Sequence, residues 1–476
     1  MPAERVFDLA VIGSGGGAFA AAIRATNLRK SVVMVERGTI GGTCVNTGCV
    51  PSKALLAAAA ARHGALESGR FPGITTSAKP VDMASLIAGK GSLVAELQSS
   101  KYEDLIGRYG WKVSRGSASF AGSADDPVLE VSAAGSVETL RAEHYLVATG
   151  STPFIPDIEG LIEIKYLTST SAMELDHVPH TLMILGGGYV ALEQAQLFAR
   201  LGTKVTVLVR SRLASAEEPE ASKALMGVFA DEGIRVIRRA EVESVRSSSD
   251  GGVLVRVVSS AGRDEYPADH LLVATGRAPV TGGLNLTAMG VHTGAHGEVV
   301  VDDRLATSNP RVWAAGDVTG HPAFVYVAAA HGAIAVDNAF ASASREVNYR
   351  SLPRVMFTSP NLAAVGLTDK QARESGIDCE CRVVTLDHVP RALVNRDTRG
   401  FIKMVADQKS GRIVGITAVA ENAAEIAAAG VYILEAGMTV TQVANTWSPY
   451  LTMAEAIKLA AQSFTRDVSQ LSCCAA

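Results

Sequence analysis

A chain of 476 residues is too long for one hydrophobic core, so two to four domains are expected. Its 47% hydrophobic and 19% charged content suits a well-buried globular protein and excludes wholesale disorder. The formal net charge of −4 gives no basic footprint for nucleic acid, the opening MPAERVFDLAVIG has no apolar signal core, and no run of about 18 apolar residues could span a membrane, so a cytoplasmic location is expected.

The first predicted element is a buried strand, FDLAVIG, which runs through a Gly-rich turn into a helix, SGGGAFAAAIRA. Gly13, Gly15 and Ala18 fit G-x-G-x-x-G/A, with Gly16 in the same turn. Small residues there let a pyrophosphate approach the backbone and rest on the helix N-terminus. The next strand, SVVMVE, ends in Glu36, 23 residues after Gly13, where a carboxylate can hold a ribose hydroxyl.

GGTCVNTGCVPSK follows. Cys44 and Cys49 are five apart, too far for C-x-x-C, and no nearby His or Cys suggests zinc. The turn must be distorted to bring the sulfurs together. A structural disulfide in a cytosolic protein would be unusual, so the pair reads as a catalytic dithiol that cycles with a cofactor. Lys53, a turn beyond Cys49, could place a cation near it.

The strand–turn–helix pattern recurs in TLMILGGGYVALEQAQLFARLG, with Gly186, Gly188 and Ala191. Its second strand, KVTVLVR, ends in Val209 and Arg210, with Arg212 close behind, where the first unit has an acid. Arginine can hold a 2′-phosphate that an acid would repel, so this unit should prefer NADP over NAD. Three further apolar strands run into small residues: YLVATGSTP, LLVATGRAP and VWAAGDVTG. Asp317, in the last, could bind a ribitol or ribose hydroxyl. Cys379 and Cys381, in CEC, would point the same way on a strand, but an ordinary surface strand is the expectation. His331 and His388 are read as structural. The chain closes on LSCCAA, two adjacent thiols beside its end.

Together GGTCVNTGCVPSK, the two Gly-rich turns and AAGDVTG resemble the FAD-dependent pyridine nucleotide–disulfide oxidoreductases over essentially the whole chain. The resemblance implies an α/β protein: two Rossmann-like dinucleotide-binding domains plus an α+β C-terminal dimerisation domain. It places an FAD-binding domain with the redox disulfide at 1–150 and an NADPH-binding domain at 151–273. The second part of the FAD-binding domain falls at 274–345, the dimerisation domain at 346–466, and a flexible Cys-Cys tail at 467–476. FAD would lie on Gly13, Gly15, Gly16, Ala18, Glu36, Arg37, Gly42, Thr43, Lys53, Thr149, Gly150, Asp317 and Val325. NADPH would lie on Gly186, Gly188, Tyr189, Val190, Glu193, Arg210, Arg212 and Gly276. Tyr189 resembles an aromatic gate that swings aside when the nicotinamide enters, and Glu193 the acid that pairs with Lys53. Cys49 would be the flavin-proximal sulfur and Cys44 the exchange thiol, in a homodimer whose sites are shared between subunits.

Disulfide-reducing members of that family carry His-Pro, with a glutamate five residues after the histidine, as a general acid–base for the leaving thiolate. Here Glu455 follows Tyr450, and no histidine lies between His388 and the end. A tyrosine with a reference pKa near 10 is a poor proton shuttle at pH 7. The substrate should therefore leave no thiolate to protonate, and a soft metal ion fits. Cys473 and Cys474 could collect it and pass it to Cys44 and Cys49, always on sulfur. Tyr450, YLTMAE and the terminal pair resemble the branch of the family that reduces Hg(II) to Hg(0). That implies Tyr450 and Tyr102 near the metal, and delivery by the partner subunit's Cys473 and Cys474. Members of that branch often begin with a Cys-x-x-Cys module; here the flavin fold starts at Phe7, so acquisition is expected to depend on the tail or on other thiols. Two other functions stay open. A thioredoxin-reductase-like relay needs the missing histidine, and a non-catalytic binder of thiophilic ions leaves both nucleotide turns unexplained.

Overall fold

The computed structural model describes residues 6–341 and 343–470. The chain divides into two compact units. The first comprises Met1–Ala54, Ala84–Phe154 and Gly276–Val347; the second comprises Leu55–Met83, Ile155–Thr275 and Asn348–Ala476.

Six strands of the first unit are β1 (Val6–Ile12), β2 (Val32–Glu36), β3 (Lys112–Arg115), β4 (Ser117–Gly122), β5 (Pro127–Ala133) and β6 (Ser136–Val147). They run in the order β3-β2-β1-β6-β5-β4, and Val312–Ala314 joins β6 as a seventh strand. β1 pairs in parallel with both β2 and β6, Leu9 lying opposite Val32 on one side and His144 on the other. A strand buried on both faces must be apolar, which is why LAVI, residues 9–12, reads as a continuous run.

Helix α1 (Gly16–Asn27) covers one face, with Ala18, Ala21, Ala22 and Ala25 all buried. Helix Val325–Phe340 packs on α1 backbone to backbone: a Cβ on Gly332 would stand 2.1 Å from the Gly17 carbonyl oxygen. Phe120, Leu129 and Tyr145 fill the opposite face. Four more helices complete this stretch of chain: α2 (Gly42–Asn46), α3 (Cys49–Leu66), α4 (Met83–Gln98) and α5 (Asp104–Tyr109).

In the second unit, four parallel strands run in the order Arg235–Arg238, Lys204–Val209, Thr181–Leu185, His270–Val273. An antiparallel meander, Glu241–Ser247, Val253–Ser259 and Gly262–Ala268, adjoins their core. A five-stranded antiparallel sheet carries the C-terminal part, in the order Pro353–Met356, Asn361–Gly366, Ile413–Ala420, Phe401–Asp407, Cys379–Thr385. Helices Ala423–Glu435 and Glu455–Gln462 bury their apolar sides on it. Among the described residues, no helix is long and apolar enough to cross a membrane.

Candidate active site

The first Gly-rich turn is held open by backbone contacts that side chains would block. Gly13 has φ +109°, and a Cβ there would meet the Ala148 carbonyl oxygen at 2.4 Å. Gly15 caps α1 with no side chain in the way. A Cβ on Gly16 would lie 3.0 Å from Val325 Cγ2, so helix Val325–Phe340 begins against this turn. Ala18 is fully buried behind it. At the end of β2, Glu36 accepts from the Ser14 hydroxyl at 2.6 Å and from the Gly38 N–H at 2.7 Å, which fixes its carboxylate beside the turn. Arg37 and Thr43 are exposed nearby.

On the other side of the β1 terminus, Thr149 donates to the Val280 carbonyl at 2.6 Å and Gly150 takes φ +68°. Asp317 accepts from the Ser151 hydroxyl at 2.6 Å, while Arg277 donates to that hydroxyl at 2.7 Å and stands 3.9 Å from the carboxylate. His331 is fully buried and accepts from the Gly316 N–H at 3.2 Å. Burial pushes its pKa down to about 4, so it stays neutral and braces the Asp317 loop. An uncapped helix N-terminus, a turn in which a Cβ at Gly13 or Gly16 would crowd its neighbours, and carboxylates set to either side fit a dinucleotide such as FAD.

The cysteine loop rests directly on this turn. Gly42 has φ +65°, and a Cβ there would lie 2.5 Å from Gly15 Cα. Gly41 N–H donates to the Ser14 hydroxyl at 3.2 Å. Cys44 sits in α2 and Cys49 opens α3; the two are not joined in a disulfide, Cys44 being half-buried and Cys49 exposed. Cys44 is pushed far above the usual thiol range, chiefly by its hydrogen bond to Cys49, then by burial and the charge on Cys49, with Lys53 opposing weakly.

Tyr102 joins the pair from 53 residues beyond Cys49. It stands on a π-helical turn, Ser99–Glu103, between α4 and α5. Its ring packs edge-on against Phe19, with centroids 4.8 Å apart, and a Cβ on Gly41 would touch its Cγ at 3.5 Å. Burial first, then the charges of Cys44 and Cys49, hold its hydroxyl above the usual phenol range. It can donate a hydrogen bond toward the sulfurs and cannot act as a base at neutral pH.

In the second unit, Gly186 takes φ +137°, and a Cβ there would meet the Ala274 carbonyl oxygen at 2.2 Å. Gly188 caps helix Tyr189–Leu201 with no side chain, and Val190 is exposed at its start. The Tyr189 hydroxyl donates to Glu217 at 2.6 Å, and Arg354 grips the same buried carboxylate at 2.9 and 3.0 Å. Glu193 is buried and accepts from the Phe357 N–H at 2.9 Å. Gly276 has φ +135° and belongs to the first unit.

The two arginines at the nucleotide end differ. Arg210 is exposed. Arg212 donates to the carbonyls of Ser215 at 2.9 Å and Glu217 at 2.6 Å, and more loosely to those of Ala214 and Glu218, so it shapes the loop that follows it. A cleft of about 870 Å³ opens there, lined by Arg212, Arg238, Arg239 and Lys370 among others. Sequence reasoning missed Arg238 and Arg239. Their signal was the basic pair closing RVIRR, the strand beside KVTVLV, where Arg238 pairs with Val209.

Tyr450 is 46% exposed, and Glu455 is buried at 4%. Glu455 accepts from the Leu451 N–H at 3.2 Å, and burial raises its carboxyl above the usual range. Cys473 and Cys474 lie outside the described residues.

A dithiol seated on one nucleotide turn, in a chain that repeats that turn, is the arrangement of a nucleotide-driven dithiol oxidoreductase. The family described as pyridine nucleotide-disulphide oxidoreductase matches residues 7–332, and its dimerisation domain matches 352–461. The chain belongs to this family, with FAD and NADPH as its cofactors. It is 56% identical to the mercuric reductase of Streptomyces lividans, over 100% of both chains. It is 45% identical to that of Bacillus cereus, over 98% of this chain and 73% of the relative. Among solved structures it is similar to the Cu(II) complex of the HOCl-induced flavoprotein disulfide reductase RclA of Escherichia coli. That likeness has a TM-score of 0.86 at 27% identity, over 97% of this chain and 100% of the other.

Proposed function

We propose that this chain reduces mercuric ion at the expense of NADPH: Hg(II) + NADPH → Hg(0) + NADP+ + H+. Full-length similarity to proteins named mercuric reductase supports the reading. The observation that carries it is at Tyr450 and Glu455. The residue five before Glu455 is a tyrosine, and Glu455 holds a backbone N–H, so the acid–base couple needed to expel a thiolate is missing.

Bound FAD and NADPH supply the hydride and the electrons. The turn at Gly13, Gly15 and Gly16 would hold the FAD diphosphate, with Glu36 and Asp317 for its hydroxyls; Gly186 and Gly188 would do the same for NADPH. The exposed Arg210 would hold the 2′-phosphate, with Arg238 and Arg239 of the nearby cleft adding positive field. Cys44 and Cys49 bind the soft ion as thiolates. Lys53, whose charge favours the Cys44 thiolate, eases loss of the remaining thiol proton as mercury arrives, and one Hg(II) held by two thiolates is neutral. Tyr102 donates toward the sulfurs and closes one side of the loop. Neutral Hg(0) has no charge for the thiolates to hold and departs. These reduced thiols and an NADPH supply suit the cytoplasm.

The holoenzyme tests the reaction. Hg(II) should stimulate NADPH oxidation with one mercury atom released as vapour per NADPH. Stimulation by a disulfide and not by Hg(II) would assign the chain to disulfide reduction, and binding without turnover would make it a sequestering protein.

Delivery is the second part of the proposal: Hg(II) reaches Cys44 and Cys49 from the partner subunit's Cys473 and Cys474. A heterodimer tests it, one subunit carrying Cys44→Ala and Cys49→Ala and the other Cys473→Ala and Cys474→Ala. With mercury supplied as a bulky dithiol complex, one complete site per dimer gives about half the wild-type rate. No restoration over the two homodimers refutes delivery between subunits.

A further inference from the structure

Two cysteines outside the redox pair form a second sulfur cluster. Strand Cys379–Thr385 is the edge of the five-stranded sheet, and residues two apart on a strand face the same side. Cys379 and Cys381 therefore point together toward the short helix Asp369–Glu374. A capping box fixes the start of that helix: the Thr368 hydroxyl accepts from the Gln371 N–H at 3.2 Å, and Gln371 Oε1 accepts from the Thr368 N–H at 2.9 Å. Asp369 is thereby presented to the sulfurs. Cys379 Sγ lies 3.3 Å from Asp369 Oδ1, and the ligand atoms of Asp369, Cys379 and Cys381 all lie within 4.8 Å of one another. Ala372 and Val405 pack around them, Cys379 is 5% exposed, and Cys381 is half-buried.

We propose that Asp369, Cys379 and Cys381 bind one soft divalent cation and thereby tie the helix Asp369–Glu374 to the sheet edge. The site belongs to the second unit, whereas Cys44 and Cys49 belong to the first. In the metal-free protein Cys379 donates to Asp369 Oδ1 at 3.3 Å, and Cys381 lies beside the same carboxylate. A cation takes the place of the two thiol protons. Two thiolates and one carboxylate carry three negative charges. A divalent ion leaves one, and Arg373, which donates to Asp369 Oδ1 at 2.8 Å, neutralises it. The two thiolates select a soft ion over Mg(II) or Ca(II).

Strand geometry favours a cation over a disulfide. Metal–sulfur bonds of about 2.3 Å let one ion bridge sulfurs up to about 4.6 Å apart, and the three ligand atoms here all lie within 4.8 Å of one another. A disulfide needs Cα atoms generally under about 6.8 Å apart, and alternate residues of an extended strand sit about 6.6 Å apart, at the edge of that range.

The test is Cd(II) binding to the full-length FAD-loaded protein carrying Cys44→Ser, Cys49→Ser, Cys473→Ser and Cys474→Ser. This leaves Cys379 and Cys381 as the remaining two of the six cysteines. Retained FAD reports folding. Equilibrium dialysis should find one Cd(II) per chain, with thiolate-to-metal absorption and a raised unfolding temperature. Adding Cys381→Ser, at a half-buried position that tolerates the swap, should weaken Cd(II) at least tenfold. Asp369→Asn should weaken it at least fivefold, and both should abolish the thermal shift. No Cd(II) retained in the parent variant overturns the proposal. So does Cd(II) bound as tightly after Cys381→Ser or after Asp369→Asn.

Discussion

The Tyr189–Glu217 hydrogen bond is a latch whose removal should make the nucleotide bind more tightly. If Tyr189 is the gate that the family resemblance implies, its ring must leave its resting place when the nicotinamide enters. At rest its hydroxyl donates to Glu217 at 2.6 Å. A hydrogen bond to a charged group contributes roughly 1.5–3 kcal/mol net of water. Glu217 keeps both Arg354 contacts when the phenol is removed, so the lower figure applies. Tyr189→Phe then weakens the closed state by about 1.5 kcal/mol, which is about tenfold in the closed-to-open ratio. Apparent affinity scales with the open fraction, so the Kd for NADP+, read by flavin fluorescence, should fall about tenfold. Glu217→Gln is the wrong variant, because it damages a buried ion pair whose loss alone costs about 3–5 kcal/mol. An unchanged or higher Kd in Tyr189→Phe would refute the latch.

Replacing Cys44 or Cys49 with Ala should abolish Hg(II)-dependent NADPH oxidation while FAD stays bound, because the flavin turn is built from Gly13, Glu36 and Asp317; turnover retained in both variants would refute the dithiol. Arg210→Ala should raise the KM for NADPH about tenfold, the effect of one charge-assisted hydrogen bond, and leave NADH nearly unchanged. Arg212→Ala, which releases the loop Ala214–Glu218, should harm both nucleotides alike; the reverse pattern would exchange their roles. His331 has a folded pKa of about 4 against an ordinary 6.5, so the unfolded chain binds its proton first. Its contribution to stability is complete above about pH 6.5 and is lost as pH falls toward 4, about 3 kcal/mol at 1.36 kcal/mol per unit. Denaturant melts of His331→Gln should show a shallower loss over that window, and an unchanged slope would refute the assignment.

Both nucleotide turns and the Cys44–Cys49 loop were legible in the sequence because each is local. A strand, a turn that excludes Cβ atoms and a helix N-terminus occupy one short stretch, and Gly13, Gly42 and Gly186 are demanded by backbone approaches of 2.2–2.5 Å. Alternation along CEC likewise put Cys379 and Cys381 on one side, but nothing in the sequence says what faces them; the Thr368 capping box and the packing of helix Asp369–Glu374 bring the carboxylate. The same division separates Tyr102 from its role. The family resemblance implied a place near the metal, whereas the π turn at Ser99–Glu103 and the Phe19 contact are what set its ring beside Gly41 of the cysteine loop. Arg210 and Arg212 looked alike as neighbouring charges, and only the fold of residues 214–218 engages one and leaves the other exposed. Sequence by itself determined what the backbone needs over a few residues. Meetings between distant side chains were decided by tertiary packing, because a side chain's partner is set by which buried faces the whole chain brings together.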